Sequence, residues 1–155
     1  MIVPTPSKYF LTAGRAEGET PLNAFDAALM AACIGNTNLI KVSSILPPRC
    51  KEIPPVRLPF GALIPAAYAS ASSERPGEII SAAVAVAFPE DDQHPGLIME
   101  TAGPGTLREI EDKVVRMAVD GMKMREQPIR RVATRGVEHR VDRCGAVVAA
   151  VVLWN

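Results

Sequence analysis

Between its turn signals the chain shows either alternating apolar and polar residues or short apolar runs, and both patterns predict β-strands. The predicted strands are residues 8–15, 39–42, 60–70, 78–88, 97–101, 130–141 and 144–154. The segments 78–88 and 144–154 are rich in Ala and Val, so these two strands are predicted to be buried on both faces. Asp142 and Arg143 form a tight turn before the last strand, which predicts a β-hairpin.

Two further segments have the pattern of helices. The first helix is predicted to begin at Pro21 with Thr20 as its N-cap, and to end at Gly35. Its apolar stripe is formed by Leu22, Phe25, Leu29 and either Cys33 or Ala32. The second helix covers residues 107–125, with Thr106 as N-cap and Glu109 completing a capping box. Two helices separated in the sequence among about seven strands predict an α+β fold whose helices cover sheet faces.

Length and composition indicate one globular domain. The chain has 155 residues, of which 48% are hydrophobic, and this is enough for a single core. Its 17 basic and 17 acidic residues balance, which argues against a nucleic-acid partner. The N-terminus lacks the pattern of a signal peptide. No apolar run approaches the roughly 20 residues that span a bilayer, so no membrane association is expected.

The cysteines and histidines do not form a recognisable metal site or catalytic triad. Cys33, Cys50 and Cys144 are odd in number and lack metal-ligand spacing, so reduced thiols in a cytoplasmic protein are expected. His94 lies in a polar loop and His139 on a predicted strand, and both are expected to face solvent. A Ser-His-Asp hydrolase is therefore weakly supported. The chain also lacks the glycine-rich, Walker, HExxH and GxSxG motifs.

The serine pair Ser43-Ser44 is the stretch around which the rest is organised. It follows the short predicted strand 39–42. The extended segment ends soon afterwards at Pro47 and Pro48, which cannot donate to a sheet ladder. A strand end that is held by rigid segments on both sides suits a reaction that requires a strained backbone. It is also an ordinary place for a strand to end, and spacing alone leaves both interpretations open.

Several motifs in the same order resemble the pyruvoyl-dependent arginine decarboxylases, from about Lys8 to Trp154. They are Glu17-Gly18-Glu19-Thr20-Pro21-Leu22-Asn23-Ala24-Phe25-Asp26, Gly35-Asn36-Thr37-Asn38-Leu39-Ile40, Ser43-Ser44-Ile45-Leu46-Pro47-Pro48, Pro76-Gly77-Glu78-Ile79-Ile80-Ser81-Ala82-Ala83, Gly96-Leu97-Ile98-Met99-Glu100, Val137-Glu138-His139 and Leu153-Trp154. The resemblance implies that the chain cuts itself between Ser43 and Ser44, into a β chain of residues 1–43 and an α chain of residues 44–155. Ser44 would attack the Ser43 carbonyl, and elimination and hydrolysis would leave a covalent pyruvoyl cofactor at position 44.

The resemblance also implies roles for four other residues. Asn38 would stabilise the oxyanion during self-cleavage. Glu100 would donate a proton to the substrate carbon once CO₂ has left a Schiff base of the substrate amine with the pyruvoyl group, and the apolar residues before it favour a raised pKa. Asp26 would bind the arginine guanidinium, because a carboxylate offers bidentate geometry. Leu29, one helical turn further, would line the aliphatic part of the pocket.

The expected protein is thus a compact single-domain αββα-type sandwich with mostly antiparallel sheets, which decarboxylates L-arginine to agmatine. Family members assemble as trimers or pairs of trimers with sites between protomers, and the same is expected here. Three alternatives stay open at this point. They are an unprocessed, non-catalytic trimeric relative, a pyruvoyl decarboxylase for another amino acid, and a serine hydrolase that uses Ser44.

Overall fold

The computed structural model describes residues 4–155, which form two helices and nine strands. In chain order these are β1 (Lys8–Glu17), α1 (Pro21–Ala31), β2 (Asn38–Lys41), β3 (Ile45–Leu46), β4 (Lys51–Glu52), β5 (Leu63–Ser73), β6 (Ile79–Pro89), β7 (Gly96–Pro104), α2 (Leu107–Met124), β8 (Ile129–Arg140) and β9 (Gly145–Trp154). All seven predicted strands and both helices are present. The two-residue strands β3 and β4 were not predicted, because two residues carry no periodic signal.

The strands form two sheets that pack face to face. The first sheet has the order β2-β5-β9-β1-β4 and the second has the order β3-β7-β6-β8. Only the pairs β1–β4 and β2–β5 are parallel among the described strands, so the sheets are mostly antiparallel as predicted. Helix α1 covers the outer face of the first sheet and α2 covers that of the second. The αββα sandwich in one compact domain is therefore confirmed.

Helix α1 ends earlier than predicted. Its C-cap is Ala32, and Cys33 adopts the left-handed conformation with φ of 63°. The N–H of Ile34 bonds the carbonyl of Leu29, which completes a Schellman-type ending. Gly35 is thus not the C′ residue, and it is needed instead for close approach, because a Cβ there would clash with Met30. Leu22, predicted to lie on the buried stripe, is 74% exposed.

The predicted β8–β9 hairpin is wrong. β8 pairs with β6 in the second sheet, whereas β9 lies between β5 and β1 in the first sheet. The turn at Asp142-Arg143 thus carries the chain from one sheet to the other. The reason is burial: β9 is apolar throughout and gains a partner on each side, while the arginine-rich β8 remains an exposed edge strand.

Within residues 4–155, neither helix combines the length and the apolar character that crossing a bilayer requires.

Candidate active site

The serine pair lies where the chain leaves the first sheet and enters the second. Val42 extends the ladder of β2, since its N–H bonds the carbonyl of Ala66 at 3.1 Å. Two residues later the carbonyl of Ser44 accepts the N–H of Ile98 at 2.7 Å, which starts the pairing of β3 with β7. Ser43 is exposed and Ser44 is half-buried between these two anchors. The scissile peptide predicted from the sequence therefore spans the step between two edge strands.

A depression of about 350 Å³ opens beside Ser43. Its walls include Val42, Ile45, Pro47 and Leu153, together with residues 4–6. The volume falls within the roughly 300–1,000 Å³ that small-molecule sites usually have. A larger depression of about 470 Å³ lies near Met30 and Phe60, and none of the predicted catalytic residues lines it.

Glu100 lies on β7, two residues beyond the Ile98 that binds Ser44. At about 3.3 Å per residue, this separation is roughly 7 Å along the strand. Ile98 belongs to the core between the sheets, and side chains alternate along a strand, so Glu100 lies on that same inner face. The residue is half-buried. Burial raises the pKa of the Glu100 carboxyl, and the positive charge of Lys41 partly opposes that rise.

Asn38 does not reach Ser43 within one chain. It is the first residue of β2, and its side-chain amide donates to the carbonyl of Gly61 at 3.0 Å. The four residue steps from Asn38 to Val42 are extended and cover about 13 Å, with Ser43 further on. Asn38 is exposed, so its side chain is accessible from outside the chain although it lies away from its own cleavage site.

Asp26 and Leu29 lie on α1, in a different layer from Ser44 and Glu100. Asp26 is exposed and makes no ion pair with any described residue. Leu29 is only 9% exposed and packs in the core between α1 and the first sheet. The structure thus groups the serine pair with Glu100 at one end of the sandwich, and keeps Asp26, Leu29 and Asn38 apart from them in the single chain.

Ile98 was not predicted to contact the serine pair, and the predicted exposure of His139 is wrong. No sequence signal pairs residue 44 with residue 98, because their contact depends on how the two edge strands meet. His139 was expected to face solvent, but its side chain is 14% exposed and its Nε2 lies 2.5 Å from Oε2 of Glu17. It belongs to the junction of β1 with the end of β8 and lies outside the candidate site.

Comparison with known proteins gives one consistent family. A family model described as pyruvoyl-dependent arginine decarboxylase matches residues 8–155. A protein of that name from Methanocaldococcus jannaschii is 49% identical over 149 residues, covering 96% of this chain and 90% of that protein. The one from Methanococcus aeolicus is 44% identical with the same coverage. The one from Pyrococcus abyssi is 41% identical over 153 residues, covering 97% of this chain and 96% of that protein.

A solved structure of pyruvoyl-dependent histidine decarboxylase is also similar. It superposes with a TM-score of 0.55 and 16% sequence identity, covering 64% of this chain and 53% of that chain. At this identity the likeness concerns the fold alone.

Proposed function

The chain belongs to the pyruvoyl-dependent arginine decarboxylase family, as its motifs predicted, and on this basis we propose that it converts L-arginine to agmatine and CO₂. The observation that carries the proposal is the match over residues 8–155 combined with the position of Ser43-Ser44 beside Glu100. The cofactor is a covalently bound pyruvoyl group.

Self-cleavage is the first step of the proposal. Ser44 Oγ attacks the carbonyl carbon of Ser43, and the peptide bond between them becomes an ester. Loss of the Ser44 α-proton then breaks the bond between Cβ and the ester oxygen, so that Ser43 leaves with a free carboxylate. Hydrolysis of the resulting dehydroalanine releases ammonia and leaves the pyruvoyl group at the start of residues 44–155. The exposure of Ser43 supports this step, because the chain can rearrange there without disturbing the core.

The residues around Ser44 fit a pyruvoyl group. Its amide carbonyl would be the present carbonyl of Ser44, still joined to Ile45, so the hydrogen bond from the Ile98 N–H survives the conversion. That bond fixes position 44 against β7 after the covalent link to Ser43 is gone. When formed, the group supplies an electron-withdrawing carbonyl that accepts the electron pair left as CO₂ departs.

Glu100 is proposed to hold the proton that replaces the carboxylate on the substrate α-carbon. A general acid must be protonated before it acts, and burial raises the pKa of this carboxyl in the required direction. Its position on β7, two residues beyond the Ile98 that bonds Ser44, supports this role. Transfer of the proton forms the C–H bond and leaves Glu100 as a carboxylate.

Substrate binding is proposed to require a second copy of the chain. Asp26 would form an ion pair with the substrate guanidinium, and Leu29 would contact the aliphatic part of the substrate. Asn38 would stabilise the oxyanion at the cleavage site of a neighbouring chain. Their separation from Ser44 within one chain supports sites built between protomers. Exposed apolar side chains on β2, on β3 and at the start of β5 support such an interface; they are Ile40 at 45%, Ile45 at 42%, Phe60 at 71% and Leu63 at 68% exposed. We propose a homotrimer or a dimer of trimers.

The oligomer is tested by native mass spectrometry of the purified protein and of Leu63→Glu. A trimer or hexamer is expected for the parent, and smaller species are expected for the variant, because a charge would be buried in the interface. A monomeric parent that still decarboxylates arginine would overturn the shared site. Cytoplasmic location belongs to the same proposal, and the free state of all three cysteines supports it.

The function is tested by intact mass measurement under denaturing conditions, followed by an arginine assay. We expect fragments 1–43 and 44–155, the second with the mass of a pyruvoyl cap, and release of agmatine and CO₂. A single full-length mass would favour the unprocessed, non-catalytic relative. Correct cleavage without agmatine would favour a pyruvoyl decarboxylase for another amino acid.

A further inference from the structure

A small cavity at one end of the sandwich has no role in the proposed function. Its volume is about 140 Å³, and its floor is formed by the buried side chains of Tyr9, Leu46 and Phe88 between the two sheets. The described residues that line it include none of the predicted catalytic or substrate-binding residues. Small-molecule sites usually begin at roughly 300 Å³, so this cavity suits a ligand of only a few heavy atoms.

The guanidinium group of Arg131 is held over the floor of this cavity. Its central carbon lies 3.9 Å from the centroid of the Phe88 ring, and Phe88 is only 7% exposed. A guanidinium that lies on an aromatic face keeps its forked N–H groups available for a carboxylate or a phosphate. Within residues 4–155 Arg131 forms no ion pair, so no acid of the described chain neutralises it directly.

The hydroxyl group of Tyr9 is a second donor at the same place. The Tyr9 and Phe88 rings are neighbours, with their centroids 6.2 Å apart. Burial raises the pKa of Tyr9 to about 12, the negative charge of Glu52 adds to the rise, and Arg131 opposes it. The phenol therefore keeps its proton near neutral pH and can donate a hydrogen bond to an anion.

A β-bulge brings a second arginine to the cavity. Phe88 pairs with Arg131 and Pro89 pairs with Ile129, so Arg130 is an extra residue in β8. Adjacent residues of a regular strand face opposite sides of the sheet, and a bulge changes the direction of the side chains where it occurs. Arg130 and Arg131 both line the cavity.

The charges around the cavity leave a positive excess. Arg49 and Asp92 form an ion pair at 3.8 Å, so these two charges offset each other. Arg130 and Arg131 then face one further carboxylate, that of Glu52. A cleft with an excess of positive charge attracts anions. The remaining titratable groups that line the cavity are Tyr9, Cys50 and His94.

We propose that this cavity binds a small oxyanion, either a carboxylate or an inorganic phosphate, with the Arg131 guanidinium as its main ligand and the Tyr9 hydroxyl as a second donor. Charge-assisted, bidentate hydrogen bonds from a guanidinium are among the strongest that such an anion can receive. Arg130 adds a further positive charge, while the carboxylate of Glu52 opposes binding. The site goes beyond the proposed function and requires neither self-cleavage nor the substrate.

Isothermal titration calorimetry tests the site with sodium phosphate and sodium malonate as separate probes. The purified protein is titrated in a phosphate-free buffer at constant ionic strength. Saturable binding of at least one probe is expected, with a dissociation constant on the order of 1 mM or tighter. Tighter binding of phosphate or of malonate then assigns the class of ligand. The absence of saturable binding for both probes would overturn the proposal.

Three variants locate the binding. Arg131→Gln should weaken the binding about tenfold or more, because charge-assisted hydrogen bonds are lost. Tyr9→Phe keeps the ring and should weaken binding by a smaller factor. Glu52→Gln should instead strengthen binding, because it removes the opposing charge, and a damaged fold would not produce that gain. Unchanged affinity in Arg131→Gln, or weaker binding in Glu52→Gln, would contradict the assigned site.

The matched control is Arg135→Gln, the same substitution at an exposed arginine further along β8 that does not line the cavity. It should bind both probes as the parent does. A loss equal to that of Arg131→Gln would mean that the probes respond to the general charge of β8, and the proposal would fall. The measurement involves no arginine and no turnover, so its failure is distinguishable from a failure of the proposed function.

Discussion

Two short links carry the chain between the sheets, and they are built in different ways. Residues 42–44 lead from β2 to β3, and residues 141–144 lead from β8 to β9. In the first link Ser43 is exposed, and among residues 4–155 the backbone of the link makes one hydrogen bond at Val42 and one at Ser44. In the second link Val141 and Cys144 are buried, at 2% and 5% exposure.

Several hydrogen bonds hold the second link, residues 141–144, which is therefore the tied link, whereas residues 42–44 are the loose link. Val141 exchanges backbone bonds with Gly77 at 2.7 Å and Glu78 at 2.8 Å. The carboxylate of Glu17 accepts the N–H groups of Arg143 and Cys144, at 2.7 and 3.1 Å. The contrast teaches that the second crossing stabilises the sandwich, while the first is held by fewer hydrogen bonds, as the proposed rearrangement of its peptide bond would require.

The largest effect is expected at the loose link. Ser44→Ala removes the attacking hydroxyl, so cleavage and decarboxylation should both be lost while the fold is kept. Intact mass should give one full-length chain, and thermal unfolding should give a midpoint close to that of the parent. Ser70→Ala, at an exposed serine of β5, is the control and should be cut normally. A Ser44→Ala chain that still divides in two would exclude the assigned nucleophile.

The next largest effect is expected beside the loose link. Glu100→Gln should still cut itself, because the proposed proton donor acts after the cofactor exists. Its kcat should fall by about 10²–10⁴-fold, the usual contribution of a general acid. Single-turnover assays with arginine would measure this on protein already shown by mass to be cleaved. Normal turnover by this variant would remove the proposed role of Glu100.

A smaller effect is expected at Asp26, which touches neither link. Asp26→Asn should raise KM for arginine about 10–100-fold, because a charge-assisted hydrogen bond is worth roughly 1.5–3 kcal/mol. Cleavage should proceed at the parent rate. Steady-state kinetics would be compared with Asp112→Asn, an exposed aspartate on α2. An unchanged KM would mean that another group binds the guanidinium.

The smallest effect on activity is expected at the tied link. Glu17→Gln should lower the free energy of unfolding by about 1–3 kcal/mol, because hydrogen bonds to a charged group are weakened. Urea denaturation measures this, with Glu19→Gln as the control. Cleavage and kcat below the unfolding transition should be unchanged. A variant as stable as the parent would show that the tied link owes little to Glu17.

Glu17 also determines how the stability of the protein should change with pH. Burial alone would raise the pKa of Glu17, but the hydrogen bonds from Arg143, His139 and Cys144 outweigh it and lower the pKa. A carboxyl with a lowered pKa in the folded state stabilises the protein above its unfolded pKa and loses that contribution as pH falls through the folded value. The parent should therefore lose more stability than Glu17→Gln between neutral and acidic pH.

Local sequence signals predicted most of the fold. The capping box at Thr106 and Glu109 and the apolar runs of β6 and β9 depend on near neighbours, so they were identified correctly. The β8–β9 hairpin failed because a turn signal says where a strand ends and not which strand becomes its partner. Burial of β9 on both sides decided that question, and it is a property of the whole sandwich.

The site was predictable only in part. The motifs predicted the serine pair and Glu100 as site residues. The structure bonds Ser44 to Ile98, two residues from Glu100 on the same strand, and no local pattern encodes that contact. The roles proposed for Asp26 and Asn38 depend on an assembly of several chains, because both residues lie apart from Ser44 in the single chain.

The position of β1 has a further consequence for a cleaved protein. This strand belongs to the fragment 1–43, yet it lies inside the first sheet, with all ten residues paired to β9 and an additional contact to β4. Fragment 1–43 would thus be retained after cleavage as an obligate subunit. Once such a protein unfolds, its two pieces must find each other again in solution, so refolding becomes a concentration-dependent encounter. The cut would make maturation a one-way event, and the lifetime of the mature enzyme would depend on its unfolding rate.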